Sequence, residues 1–293
     1  MEYNKKKVNL IIFTLIILIA MVSIFATVNF IEEEKAPETD VIAENQISEL
    51  ENNDETNSVE TTVELKKAPT FSSGWAAYYY AEKILKENDF VLTGTAVGTN
   101  DPIAGISLVQ YVDEKLYKSG SDYFFIDKAH CDSSYGTNYT KYVYNDGTNV
   151  VSKYEGLKAT TVSLSDFIKK NGRAPDFLYY TINSKTCTMD SFKISGASYI
   201  LKITLNSTVP GVFDDMEKGL NNSPKKLQNA YGISATFEIK INRKTGAFES
   251  IKTTERYHID LNSLLSSDIT TVTTQTFTWK SVDVGSLVKK YIG

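Results

Sequence analysis

The chain has 293 residues, 42% of them hydrophobic, and a formal net charge of −5 that is unevenly spread. Glu32 to Lys67 holds 12 acidic residues against 3 basic, whereas residues 68–293 hold 25 basic against 23 acidic. The low pI therefore describes one segment, and the near-neutral remainder lacks the basic footprint that nucleic-acid binding requires.

The N-terminal element is an apolar run from Val8 to Val28, free of charge and interrupted by Asn9, Thr14, Ser23 and Thr27. A helix of roughly 20 residues rising 1.5 Å each spans a hydrocarbon core of ~30 Å, so residues 8–31 are expected to be a transmembrane anchor. Lys5, Lys6 and Lys7 precede it and Glu32, Glu33 and Glu34 follow. That bias places residues 1–7 in the cytoplasm and the rest outside, as a single-pass protein of the cell membrane with an extracellular domain. A cleaved signal peptide is the alternative, although no A-x-A site precedes a plausible cleavage point around Ala26.

Residues 32–67, with no aromatic side chain and many Asn, Thr and Ser, have the composition of a disordered tether. Residues 68–293 show no second linker and are long enough for a large core, which predicts one extracytoplasmic domain. Cys131 and Cys187 would stand in an oxidising compartment, where they could form a disulfide or remain buried free thiols.

Within the domain, Ser72 and Ser73 precede Gly74 to Asn88, where Ala77, Tyr80, Ala81, Ile84 and Leu85 recur at helical spacing. Period-two segments follow at Phe90 to Thr99, Ile103 to Val112, Lys115 to Asp127 and Tyr139 to Tyr154, the last broken by the Asn145-Asp146-Gly147 turn signal. Ser163 to Gly172 predicts a short capped helix. Cys187 to Ile194 and Ser198 to Asn206 predict a hairpin about Gly196-Ala197. Pro210 opens a helical pattern through Val212, Phe213, Met216 and Leu220, with Pro224 to Tyr231 as a second short helix or a turn. Three strands close the chain: one through Ala235 to Ile241, one from Ala247 to Ile259 after the Asn242–Gly246 turn, and one from Thr270 to Trp279.

This order predicts an α+β class: a curved antiparallel β-sheet, or half-barrel, with helices packed on its concave face. The opening helix followed by Phe90-Val-Leu-Thr-Gly-Thr, the Tyr142-Val-Tyr-Asn-Asp-Gly147 hairpin and Phe237-Glu-Ile-Lys-Ile-Asn-Arg-Lys-Thr-Gly246 together resemble the LolA-like lipoprotein-carrier half-barrel family over about residues 71–281. The resemblance implies a noncatalytic domain that holds acyl chains or lipidated partners between sheet and helices. A helical anchor departs from that family's pattern and argues against long-range shuttling.

Candidate chemistry is sparse. His130 and His258 are the two histidines, and no H-E-x-x-H, C-x-x-C, G-x-S-x-G or P-loop pattern occurs. His130 and Cys131 are neighbours that a strand would point to opposite faces. Asp214, Asp215 and Glu217 suit the first turn of a helix better than a metal or acid-base site. No catalytic, metal or cofactor site is expected. The candidate ligand-binding lining is Tyr199, Leu201, Ile203 and Leu205 with Phe237, Ile239 and Ile241, opposite Phe213 and Met216; the same residues could instead form a closed core. The expected partners are the membrane, through the N-terminal helix, and a lipid or lipidated protein. The alternative is an envelope assembly or sensing module that binds protein partners and no small molecule.

Overall fold

The computed structural model describes residues 60–101, 109–131, 138–175, 180–221, 228–262 and 265–293. The expected anchor at 8–31, the tether up to Val59 and the expected strand residues 103–108 lie outside the described residues. Among the described residues, no helix is long and apolar enough to cross a membrane.

After β1 (Thr61–Thr62), helix α1 (Gly74–Glu87) begins where the sequence predicts, with the Ser73 hydroxyl accepting from Ala76 N at 3.2 Å. The first meander follows as β2 (Phe90–Asn100), β3 (Val109–Ser119), β4 (Asp122–Cys131), β5 (Tyr139–Asn145), β6 (Asn149–Tyr154) and β7 (Thr160–Ser163). Helix α2 (Leu164–Asn171), capped by Ser163, and the hairpin β8 (Cys187–Ser195) and β9 (Ser198–Leu205) come next. Helix α3 (Asp214–Asn221) then leads into β10 (Gln228–Asn242), β11 (Phe248–Asn262), β12 (Leu265–Thr278), the short β13 (Lys280–Ser281) and helix α4 (Val284–Tyr291).

Strands β2 to β12 form one antiparallel sheet in the spatial order β7-β6-β5-β4-β3-β2-β12-β11-β10-β9-β8. Two meanders therefore meet at the β2–β12 seam, in register from Val91 opposite Thr278 to Asn100 opposite Ile269. The α+β antiparallel architecture matches the expectation. Local turn chemistry explains much of it: Asp146 Oδ1 accepts from Thr148 N at 2.7 Å and Asn149 N at 2.6 Å, while Gly147 takes φ +80°. At the β10–β11 turn, Asn242 Oδ1 accepts from Lys244 N and Thr245 N, and Gly246 takes φ +70°.

One face of the sheet, called inner here, carries the main core. Ala77, Tyr78, Ala81 and Leu85 of α1, Phe167 of α2 and Met216 of α3 all pack there. The opposite, outer face carries a smaller cluster of Val91, Tyr117, Phe124 and Tyr142 under Val284 and Leu287 of α4. The expectation that the helices share one face therefore holds for α1 to α3 and is corrected for α4. Residues 284–291 show a short stripe, Val284, Leu287, Val288 and Tyr291, that the sequence reading passed over.

Three further boundaries are corrected. Asp113 and Glu114 do not separate two strands but lie within β3, and the turn falls at Gly120, whose φ is +58°. Gln228 to Tyr231 begin β10 rather than ending a helix. Residues 60–67, counted with the tether, are docked: β1 pairs with β13, Val63 N donates to Trp279 O at 3.1 Å, and Lys280 Nζ stands 2.8 Å from Glu60 Oε2.

The C-terminal helix should matter for stability. Leu287, 6% exposed, is the apolar anchor of α4 on the outer face, and Leu287→Ala is expected to cost about 2–3 kcal/mol. Urea denaturation of the folded domain should show a lower midpoint with an unchanged slope.

Candidate functional site

The structure brings all nine residues expected to line a cavity to the inner face. Tyr199, Leu201, Ile203 and Leu205 on β9 stand beside Phe237, Ile239 and Ile241 on β10, with Phe237 opposite Ile203 and Ile239 opposite Leu201. Phe213 and Met216 lie over them from the α3 side. All nine are buried in one packed core, and none borders the pocket described next.

That pocket, of about 210 Å³, opens beside the C-terminal half of α1. Tyr78, Glu82, Leu85 and Lys86 face it from successive turns of the helix. Phe90 of β2, Tyr123 of β4 and Phe248 of β11 supply the sheet side, and Arg173 with Tyr180, Thr181 and Ile182 closes it. Its lining is aromatic within and polar at the rim, where Lys86 pairs with Glu82 at 3.3 Å. Tyr78 packs edge-on against Phe248 with centroids 5.8 Å apart, and burial pushes its phenol well up from the usual value. The 180–186 segment is pinned to α1 because Ser184 N donates to Tyr79 Oη at 3.1 Å. Its Tyr180 hydroxyl donates to Glu255 Oε1 at 2.7 Å.

Further along the inner face lies a second feature. An apolar row, Val143, Phe125, Leu116, Leu92 and Phe277, crosses five adjacent strands as direct partners. Two residues along each strand comes the row Lys141, Asp127, Glu114, Gly94 and Gln275, again as direct partners. Glycine at position 94 is dictated by its neighbours: Gln275 Nε2 donates across it to Glu114 Oε1 at 2.7 Å, and a Cβ there would overlap that carboxylate. Burial pushes Glu114 up to about 8, against the opposing effect of the Gln275 hydrogen bond and with the nearby Asp127 adding to it. Burial likewise raises Asp127 and lowers Lys141, each partly offset by the charge of the other. Glu255, on β11 beside the β12 strand that carries Gln275, is raised by burial to about 7. Lys141 Nζ and Asp127 Oδ1 have no hydrogen-bond partner.

The residues singled out in the sequence are accounted for. His130 stacks on Tyr111 at 4.9 Å on the outer face, while Cys131 points inward and its Sγ donates to Val109 O at 3.1 Å. His258, also on the outer face, lies between Asp268 at 2.7 Å and Asp260 at 3.1 Å, and the Asp268 hydrogen bond leads in raising its pKa. The disulfide alternative is corrected: Cys131 and Cys187 are free thiols, and six strands separate β4 from β8 in the sheet. Asp214, Asp215 and Glu217 occupy the first turn of α3, where Glu217 Oε1 accepts from Gly232 N at 2.9 Å. Among the described residues, no group of three or more His, Cys, Asp or Glu side chains could hold a metal ion.

No family model matches the chain, and no curated protein matches it. Among solved structures, it is similar to a DUF1329 family protein from Desulfovibrio piger ATCC 29098, at 13% identity over 74% of this chain and 96% of that one, with a TM-score of 0.29. It is also similar to the LolA superfamily protein NE2245 from Nitrosomonas europaea, at 10% identity over 73% and 94%, with a TM-score of 0.25. A third likeness is to Rv2717c from M. tuberculosis, at 6% identity over 67% and 96%, with a TM-score of 0.23.

Two outcomes follow for the polar row. Glu114 and Glu255 bind protons more tightly folded than unfolded, so their contribution is fully present below the unfolded value and is lost as pH rises through about 7 to 8. The raised His258 acts in the same direction. Each carboxyl contributes a slope of about 1.4 kcal/mol per pH unit between its unfolded and folded values. Melting temperatures should therefore fall from pH 5.5 towards pH 8 in sequence-matched buffers, and Glu114→Gln should flatten the upper part of that fall. Gly94→Ala should cost about 1–3 kcal/mol by overpacking against Glu114, read as a lower urea midpoint.

Proposed function

We propose that the chain is a membrane-anchored, extracytoplasmic binding protein that takes a hydrophobic ligand, a lipid or an acylated peptide, without catalysis. The observation that carries this reading is the aromatic pocket between α1 and the sheet, with Tyr78, Phe90, Tyr123 and Phe248 inside and Lys86 and Arg173 at the rim. Ligand sites are concave and mostly apolar with a few polar groups at one side, and this pocket has that character. Its size limits the ligand: 210 Å³ is below the ~300–1,000 Å³ of sites that enclose a whole small molecule. It therefore receives one end of a chain, with the polar remainder of the ligand left at the rim. The anchor at residues 8–31 and the acidic segment after it support placement of the domain outside the cell membrane.

A second reading, an assembly or sensing module, is favoured by one observation. Strand β8 is an edge of the sheet and exposes Ile194 at 57%, a surface on which a partner strand could pair.

The test is native mass spectrometry of the full chain extracted in mild detergent from a membrane-containing host, with extraction of bound molecules. Thr181 is exposed at the pocket, so Thr181→Trp should fill it with little effect on the fold. Retained lipid in the parent chain, lost in Thr181→Trp at an unchanged melting temperature, is the expected result. Retention unaffected by that substitution, or none in either chain, would overturn the pocket reading and leave the assembly module.

A further inference from the structure

Lys141 on β5 and Asp127 on β4 are direct cross-strand partners, and Glu114 on β3 is the partner of Asp127 on its other side. All three face inward. Lys141 and Asp127 are each 2% exposed and Glu114 is 6% exposed. Directly opposed residues have Cβ atoms ~4.5–5.5 Å apart, so the four-carbon stem of a lysine reaches the carboxyl carbon of its neighbour by side-chain rotation alone.

An ordinary buried ion pair accounts poorly for this arrangement. Taking two charges out of water is offset only when both are well hydrogen-bonded, and here Lys141 Nζ and Asp127 Oδ1 have no such partner. The Tyr154 ring lies beside the amine instead, its centroid 5.6 Å from Nζ, and Tyr139 packs edge-on against Tyr154. A covalent bond between the two groups would remove both charges at once.

We propose that Lys141 and Asp127 condense to an intramolecular amide, with Glu114 carrying the proton. In the step, the lone pair of neutral Nζ attacks Cγ of the protonated Asp127 carboxyl and forms the N–C bond. Glu114 receives a proton from the nitrogen and returns one to the departing hydroxyl. The Cγ–O bond breaks and one water leaves, so an amine and a carboxylic acid give an amide and water with no oxidant, activating group or other co-reactant. Glu114 ends in its starting protonation state.

The environment favours the forms that this step needs. Burial lowers the amine and raises both carboxyls, and the charges facing them from neighbouring strands are those of the triad itself, with Gln275 holding Glu114 in place across Gly94. Burial thus shifts both the amine and the acid towards the neutral forms that water disfavours. The product would tie β4 to β5 independently of any ligand in the pocket.

Mass spectrometry of the denatured full chain, compared with Lys141→Arg, tests the proposal. The parent chain should be lighter than its sequence by one water, with peptides containing Lys141 and Asp127 recovered as one branched species, while Lys141→Arg has its full mass. Glu114→Gln should keep its full mass or react only in part. Because the parent chain alone decides the main point, a variant that fails to fold leaves the test intact. An unmodified parent mass would overturn the proposal, as would a water loss that maps to Asp146-Gly147 as a cyclised aspartyl. Complete cross-linking in Glu114→Gln would overturn the part given to Glu114.

Discussion

The β2–β12 seam holds the two halves of the sheet together, and it is the least local strand pairing within the eleven-stranded sheet. Val91 meets Thr278 and Asn100 meets Ile269, so closing this pairing orders most of the domain between them. Loop-closure entropy grows only slowly with length, but nothing in either meander rewards the closure until the seam forms. Small residues make it workable. Gly94 and Ala96 of β2 stand between larger side chains on β3 and β12, and the inner face at the seam is filled from its flanks by Glu114, Gln275 and the Thr271 and Thr273 positions.

The inner face is consequently of two kinds. Towards the α1 end it is aromatic and aliphatic, and α1 packs on it, whereas α3 lies over the far end of β10, where Glu217 accepts from Gly232 N. Towards the other end it buries Glu114, Asp127, Lys141, Thr253, Glu255, Thr271, Thr273 and Gln275. Charged side chains are almost never fully buried unless paired, so this half depends on protonation, hydrogen bonds or covalent chemistry for its stability. The outer face needs no such device, because α4 covers only the apolar patch around Phe124 and Tyr142.

What the sequence disclosed follows the range of the interactions. Helices α1 and α2, the Asn145-Asp146-Gly147 turn and the Asn242–Gly246 turn are specified by residues within a few positions of one another, and each was legible. The alternating pattern of β9 and β10 correctly placed Tyr199, Leu201, Ile203, Phe237, Ile239 and Ile241 on one buried face. It could not tell a packed core from a cavity wall, since both require the same side chains. Asp113-Glu114 misled for a physical reason: two consecutive charges indicate a solvated break in a strand, and only the pairing of β3 with β2 and β4 shows that the second one points inward. The pocket was invisible for a similar reason, as it joins α1, three strands, Arg173 and residues 180–182, which no local period connects.

The pocket and the polar row are neighbours that do not meet. Phe90 and Tyr123 border the pocket, Leu92 and Phe125 lie two residues further along their strands, and Gly94 and Asp127 two residues beyond those. At ~3.3 Å per residue, four residues place the row about 13 Å from the pocket wall. The apolar row between them is fully packed, with Leu92 at 0% and Phe125 at 1% exposure. A chain end entering beside α1 and directed along β2 and β4 would therefore meet hydrocarbon and rings and stop short of Glu114 and Asp127. The charged triad is thus insulated from whatever the pocket holds, which is why its chemistry belongs to the sheet and not to ligand recognition.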